Sequence, residues 1–119
     1  MTTPPIQNIA VIGLGTIGHS VAQVYAAAGC TVKCFDPDPT TGASLADRVR
    51  TNLNQMAAVG LSSQDDIEHI VSRFVICDSE AEAVSGVGFV SEAAAEDLTI
   101  KQALFARLEN YIDRHTILA

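Results

Sequence analysis

Apolar positions along the chain follow two alternating rhythms. Asn8 to Ile12 is a short apolar run closed by Gly13, which predicts a strand buried on both faces. From Thr16 to Ala28 the apolar residues Ile17, Val21, Val24, Tyr25 and Ala28 recur at helical spacing, and Gly29 is a natural stop. Thr31 to Phe35 predicts a second strand, broken by Asp36-Pro37-Asp38-Pro39. Ala43 to Val59 has Leu45, Val49, Leu53 and Met56 on one side and predicts an amphipathic helix ending at Gly60. Ser62 or Ser63 can cap a third helix running to about Ser72, with Asp65 and Asp66 in its first turn, where the helix dipole favours acids. Phe74 to Cys77 predicts the third strand, Glu80 to Ser85 a short helix and Val87 to Ser91 the fourth strand. Asp97 to Arg114 predicts a long helix carrying Leu98, Leu104, Phe105, Leu108 and Ile112, and a fifth strand starts over His115 to Leu118.

Strands alternating with helices predict an α/β fold, a parallel sheet joined by right-handed crossovers and covered by helices on both faces. Five strands in the order 3-2-1-4-5 are expected, with a helical insertion between strands 2 and 3. Its 119 residues, 48% of them hydrophobic, suit one domain with a real core. Seven basic against fourteen acidic residues, a net charge of −7 with no basic run, excludes nucleic acid and anionic membrane as partners. The longest uncharged stretch, Met1 to Val32, holds glycines and polar residues and is no bilayer span, and Met1 to Gln7 carries no secretory signal. Cys30, Cys34 and Cys77 form no CxxC pair and no metal spacing with the three histidines, so free, buried thiols in a reducing cytoplasm are expected.

Gly13-Leu14-Gly15-Thr16-Ile17-Gly18 is a GxGxxG loop. Alone it could serve only a tight turn. Here it follows a predicted strand and opens a helix, and Asp36 ends the next strand 18 residues after Gly18, which is the context of a Rossmann-type dinucleotide site. Gly13 allows the turn, Gly15 lets the backbone approach a pyrophosphate, and Gly18 lets the helix pack closely on the sheet. The N–H groups at the helix start, about Thr16 and Ile17, face the phosphates with roughly half a unit of positive charge. Asp36 can accept from both adenosine ribose hydroxyls and would repel a 2′-phosphate, with no Arg in Pro37-Asp38-Pro39-Thr40, so NAD is expected over NADP. FAD is the other nucleotide such a loop could serve.

The segment Ser91 to Lys101 follows the fourth strand and should flank the nicotinamide end. Ala93 to Ala95 leave room for a ring, and Glu96 and Lys101 could bond its ribose or carboxamide. From spacing alone, Glu96 and Asp97 could equally supply charge to a helix start, with Asp97 and Lys101 as an i,i+4 pair.

The glycine loop, Asp36, the helical insertion from Ala43 to Ser72, and Glu92-Ala93-Ala94-Ala95-Glu96-Asp97-Leu98 with Lys101 and Leu104-Phe105 resemble the N-terminal domain of the L-3-hydroxyacyl-CoA dehydrogenase family, from Ile9 to Ala119. The family pattern is EAxxEN followed by a Lys, so Asp97 in place of Asn is the departure. The resemblance implies NAD contacts at Asp36, Ala93, Glu96 and Lys101. It implies hydride transfer between a 3-hydroxyacyl or hydroxyacid substrate and NAD. In the family's acyl-CoA enzymes a Ser and a Lys of the insertion contact CoA; those positions hold Asn52 and Val59, and Ala43 to Gly60 contains no Lys, which leaves open relatives acting on free hydroxy acids, such as gulonate and carnitine dehydrogenases.

The resemblance also places the catalytic His and its partner Glu, and a helical domain that closes the substrate cleft and makes the dimer, beyond the fifth strand. The expectation is therefore a cofactor-binding domain inactive by itself. His19, His69 and His115 match no catalytic position and are expected to be structural or solvent-facing. The alternative from another class is a regulatory nucleotide-sensing module without catalysis, which would share the loop and Asp36 but lack the insertion. A fifth strand ending at Leu118 would leave a sheet edge, for which self-association is expected.

Overall fold

A computed structural model describes residues 7–92 and 117–118. The elements are β1 (Asn8–Ile12), α1 (Thr16–Ala27), β2 (Thr31–Phe35), α2 (Pro39–Ala43), α3 (Leu45–Ala58), a 3-10 turn (Gln64–Asp66), α4 (Ile67–Val71), β3 (Phe74–Ile76), α5 (Glu80–Val84), β4 (Phe89–Glu92) and β5 (Ile117–Leu118). The five strands form one parallel sheet in the order β3-β2-β1-β4-β5, as the pattern predicts. The helix predicted over Asp97 to Arg114 lies outside the described residues.

The central strand explains the two layers of core. Ile9 and Val11 point to one face with Val32 and Cys34, where Ala22, Ala26, Leu45, Val49, Leu53 and Ile70 bury them. Ala10 and Ile12 point to the other, against Ala83, Val84, Val87 and Val90. A strand buried on both faces needs an unbroken apolar run, which is what residues 9–12 supply.

Several boundaries differ from the pattern. The insertion begins four residues before Ala43, because Asp38 accepts from Thr40 N at 2.9 Å and Pro39 takes the first helical turn. A break at Ser44 then separates α2 from α3: the Ser44 hydroxyl donates to Thr41 O at 3.0 Å and Arg48 donates to the same oxygen at 2.9 Å, closing the short helix. Ser63 precedes the 3-10 turn but makes no side-chain capping bond, and the Ser62 hydroxyl makes none either, so the cap expected of one or the other is absent. β4 starts two residues later than predicted and runs one further, to Glu92.

The buried face of α1 is also rotated from the expected one. Gly18, Ala22 and Ala26 face the sheet, while Ile17 and Val24 are 60% and 65% exposed. Small residues at four-residue intervals allow the helix axis to approach the strands, and the larger apolar residues flank that seam. At its far end Gly29, with φ 101°, turns the chain; Gly29 N donates to Ala26 O and Cys30 N to Tyr25 O, both at 3.1 Å. Arg73 adds a guanidinium bond to Ala26 O, a cation at the negative end of the helix dipole. Among the described residues no helix is long and apolar enough to cross a membrane.

Candidate functional site

The carboxyl ends of β1, β2 and β4 meet where the crossovers change direction, which is where open α/β sheets place ligands. Three features converge there: the loop after β1, the acid after β2 and the end of β4.

Gly13 leaves β1 at φ 92°, a conformation that a side chain would strain, and its N–H donates to Phe35 O at 2.8 Å. The next amide, Leu14 N, donates to Asp36 Oδ2 at 2.8 Å, while the Leu14 side chain is buried in the α1-side core. Two consecutive amides thus fasten the loop to the last residue of β2 and to the acid that follows it. Gly15 stands at the start of α1 with extended backbone and no capping side chain, and no acid occupies the first turn. A Cβ built on Gly15 meets no atom within 4 Å. The fold itself therefore does not require glycine there; the space suits a group that must approach the backbone, as a pyrophosphate would. Thr16 and Ile17 are exposed beside it, and Gly18 is buried against the sheet.

Asp36 is half-buried, and its second oxygen, Oδ1, accepts from Asp38 N at 2.8 Å. Each carboxylate oxygen accepts about two hydrogen bonds, so each keeps a lone pair for a further donor. Asp38, one residue beyond the turn, adds a second negative charge near the same spot. This donor set (uncapped helix amides for a diphosphate, a carboxylate for a diol, no cation beside it among the described residues for an additional phosphate) fits NAD. Ala93, Glu96 and Lys101 lie outside the described residues.

Of the two described histidines, His19 lies at the loop, its Nδ1 2.9 Å from Gly15 O, and His69 is exposed in the last turn of α4. His115 lies outside the described residues. Cys34 and Cys77 are buried and Cys30 half-buried, all three free. Burial, with Cys77 nearby, pushes the Cys34 thiol up from 9.0 to about 12, so it stays protonated and unreactive. Cys77 is likewise raised, mainly by burial.

Three features are not visible in the sequence. Glu92 is a buried carboxylate, 6% exposed, paired in register with Ile12 at the ends of β4 and β1. A groove of about 560 Å³ runs along α1, lined by Thr16, Ile17, Val21, Val24, Tyr25 and Ser91. Ile17 and Val24, the exposed apolar residues of α1, form part of its wall. A second groove, about 470 Å³, lies between α1 and α3 and contains Asn52 and Val59. Its polar groups are neutral: Asn52 Nδ2 donates to Gln23 Oε1 at 3.1 Å, and Gln23 Nε2 to Met56 Sδ at 3.6 Å.

Residues 8–119 match the family described as 3-hydroxyacyl-CoA dehydrogenase, NAD binding domain. The chain is 35% identical to a lambda-crystallin homolog from Bos taurus over 113 residues, 94% of this chain and 35% of that protein. It is 32% identical to the mitochondrial hydroxyacyl-coenzyme A dehydrogenase of Homo sapiens, over 96% of this chain and 38% of that protein. Among solved structures, a 3-hydroxybutyryl-CoA dehydrogenase from Escherichia coli superposes with a TM-score of 0.87 at 30% identity, covering 97% of this chain and 24% of that one. The chain thus spans well under half the length of the curated relatives it matches.

Proposed function

The chain belongs to the 3-hydroxyacyl-CoA dehydrogenase family as its NAD-binding domain, and from that premise we propose which residues hold the cofactor and what the whole protein does. In the cofactor loop Gly15, Thr16 and Ile17 meet the pyrophosphate, with Gly13 making the turn and Gly18 the close helix packing that bring them there; Asp36 takes the adenosine ribose, and Ala93, Glu96 and Lys101 meet the nicotinamide half. The observation that carries this reading is the 2.8 Å bond from Leu14 N to Asp36 Oδ2, which makes the glycine loop and the carboxylate one unit. The helix amides offer partial positive charge to the phosphates, and the lone pairs left on Asp36 accept from the two ribose hydroxyls.

The whole protein, on this reading, is an NAD-dependent oxidoreductase acting on a 3-hydroxyacyl or hydroxyacid small molecule. NAD supplies the hydride acceptor. Residues 1–119 bind and orient it as one domain, the catalytic His and Glu lie beyond the fifth strand, and a helical domain closes the substrate cleft. The groove around Asn52 and Val59, lined by neutral residues, favours a free hydroxy acid over a CoA ester, whose phosphates call for Lys or Arg. Free thiols at Cys30, Cys34 and Cys77 suit the cytoplasm. Self-association runs through β5, which stands at the end of the strand order.

Calorimetric titration tests the cofactor assignment. The chain binds NAD, and binds NADP at least about tenfold more weakly, because a 2′-phosphate would face the Asp36 carboxylate and like charges repel strongly at so short a range. Gly15→Val fills the open space and abolishes binding while leaving the far-ultraviolet circular dichroism unchanged. Undiminished NAD binding by Gly15→Val, or equal affinity for NADP, would refute the assignment.

A further inference from the structure

The first turn of α1 carries one titratable side chain, His19. Side chains of a helix lean toward its N-terminus, so a residue four places on stands over the residue where the helix starts. His19 does this: its Nδ1 lies 2.9 Å from Gly15 O, the carbonyl that also accepts from His19 N at 3.0 Å. A carbonyl only accepts, so Nδ1 is the nitrogen that carries the proton. In a neutral imidazole that is the ring's one N–H, and Nε2 is left as a bare acceptor. The ring is half-buried. Its two nitrogens are closer together than a hydrogen bond is long, so Nε2 stays beside the Gly15 loop.

A diphosphate presents only acceptors and negative charge. Neutral His19 turns a lone pair toward it, whereas the imidazolium turns an N–H. The other charged groups around α1, which packs on β1, β2, α3 and α4, are engaged or face elsewhere among the described residues. β1 has no ionisable residue. β2 brings Lys33, which donates to Ser85 O at 2.9 Å on the α5 side, and Cys34, whose thiol keeps its proton. On α3, Arg48 is held by Thr41 O and Ser44 Oγ, and Arg50 by Asp47 and by Glu68 of α4. Asp66 and His69 line a cavity with Ala27, at the opposite end of α1, where Arg73 donates to Ala26 O. Glu92 shares the register of Ile12 and so faces the α5 side. Asp36 and Asp38 accept from Leu14 N, Asp38 N and Thr40 N. We propose that His19 is a phosphate-binding residue that takes up a proton as NAD arrives and donates Nε2–H to the diphosphate, which ties cofactor affinity to pH. One proton passes from solvent to Nε2, and no other bond is made or broken covalently. Because uptake accompanies binding, affinity rises as pH falls. This role rests on the assignment of the glycine loop to the diphosphate.

Calorimetric titrations of the full chain with NAD at about pH 5.5 and about pH 8 bracket the range in which imidazoles take up a proton. Wild type binds about fivefold more tightly at the lower pH, the worth of one hydrogen bond. At about pH 7, titrations in buffers of different ionisation enthalpy show protons taken up on binding. His19→Gln, neutral throughout, removes both the pH dependence and the uptake. His19→Arg, charged throughout, also removes both but keeps the tighter affinity at about pH 8. His69→Gln, altered at the far end of α1, behaves as wild type. The role of His19 is overturned by a wild-type affinity indifferent to pH, by uptake that survives in His19→Gln, by His19→Arg binding no better than His19→Gln at about pH 8, or by a pH dependence that His69→Gln removes. If any of these is found while Gly15→Val and Asp36→Ala still abolish NAD binding, the cofactor site stands without His19; NAD binding indifferent to both variants overturns the site and the role together.

Discussion

At the scale of single residues, Asp36 has two duties that the sequence presents as one. Its place at the end of a strand, 18 residues beyond the glycine loop, marks it for a ribose. Only the structure reveals that the same carboxylate holds Leu14 N and Asp38 N. Spacing reports which element a residue ends, but not which backbone amides fold back on it. Glu92 shows the same limit: its letter belongs to a recognisable motif, yet its burial follows from the register that sets it beside Ile12. Cys34 carries a prediction at this scale. Its thiol is held up to about 12 in the folded chain against 9.0 in an exposed one, so folding favours the protonated form. The contribution is complete below about pH 9 and is lost as pH rises from there toward about 12, where the unfolded thiol ionises first. Urea titrations at about pH 8 and about pH 10.5, either side of the unfolded thiol's titration, should give a lower midpoint at the higher pH. Cys34→Ser or Cys34→Ala should flatten that dependence. An unchanged pH slope in both variants would count against it.

Secondary-structure elements are legible in kind and order, because a buried parallel strand needs an apolar run and an amphipathic helix a periodic one. The starts and faces are less so. Asp38-Pro39 reads as a strand breaker, and it is one; it is also a capping acid followed by a residue suited to a helix start, and α2 grows from it. The face of α1 departs from its pattern because hydrophobicity favours Ile17 and Val24, whereas close packing on the sheet selects Gly18, Ala22 and Ala26. Asp38→Ala removes the bond to Thr40 N and should cost about 1 kcal/mol. Chemical denaturation would register that loss, and a cost near zero would mean that Pro39 alone suffices to start the helix.

For the whole molecule, strand order and layering follow from the alternation of elements, since right-handed crossovers leave few other topologies. The grooves beside α1 do not follow from it, because they depend on how far one helix is turned about its own axis. The sheet has β3 at one end and β5 at the other. If β5 templates self-association, static light scattering will show the apparent mass rising with concentration, and a Pro introduced at Ile117 will suppress the rise without altering NAD affinity. A constant monomer mass across the range would rule the edge out.

The bonds from Gly13 N to Phe35 and from Leu14 N to Asp36 also bear on the thermodynamics of recognition. A loop fixed in advance loses little conformational freedom when its ligand arrives, so few contacts need be spent on ordering it. Association should accordingly be a docking step with a single kinetic phase, its enthalpy set by the phosphate and ribose contacts rather than by rearrangement of the chain.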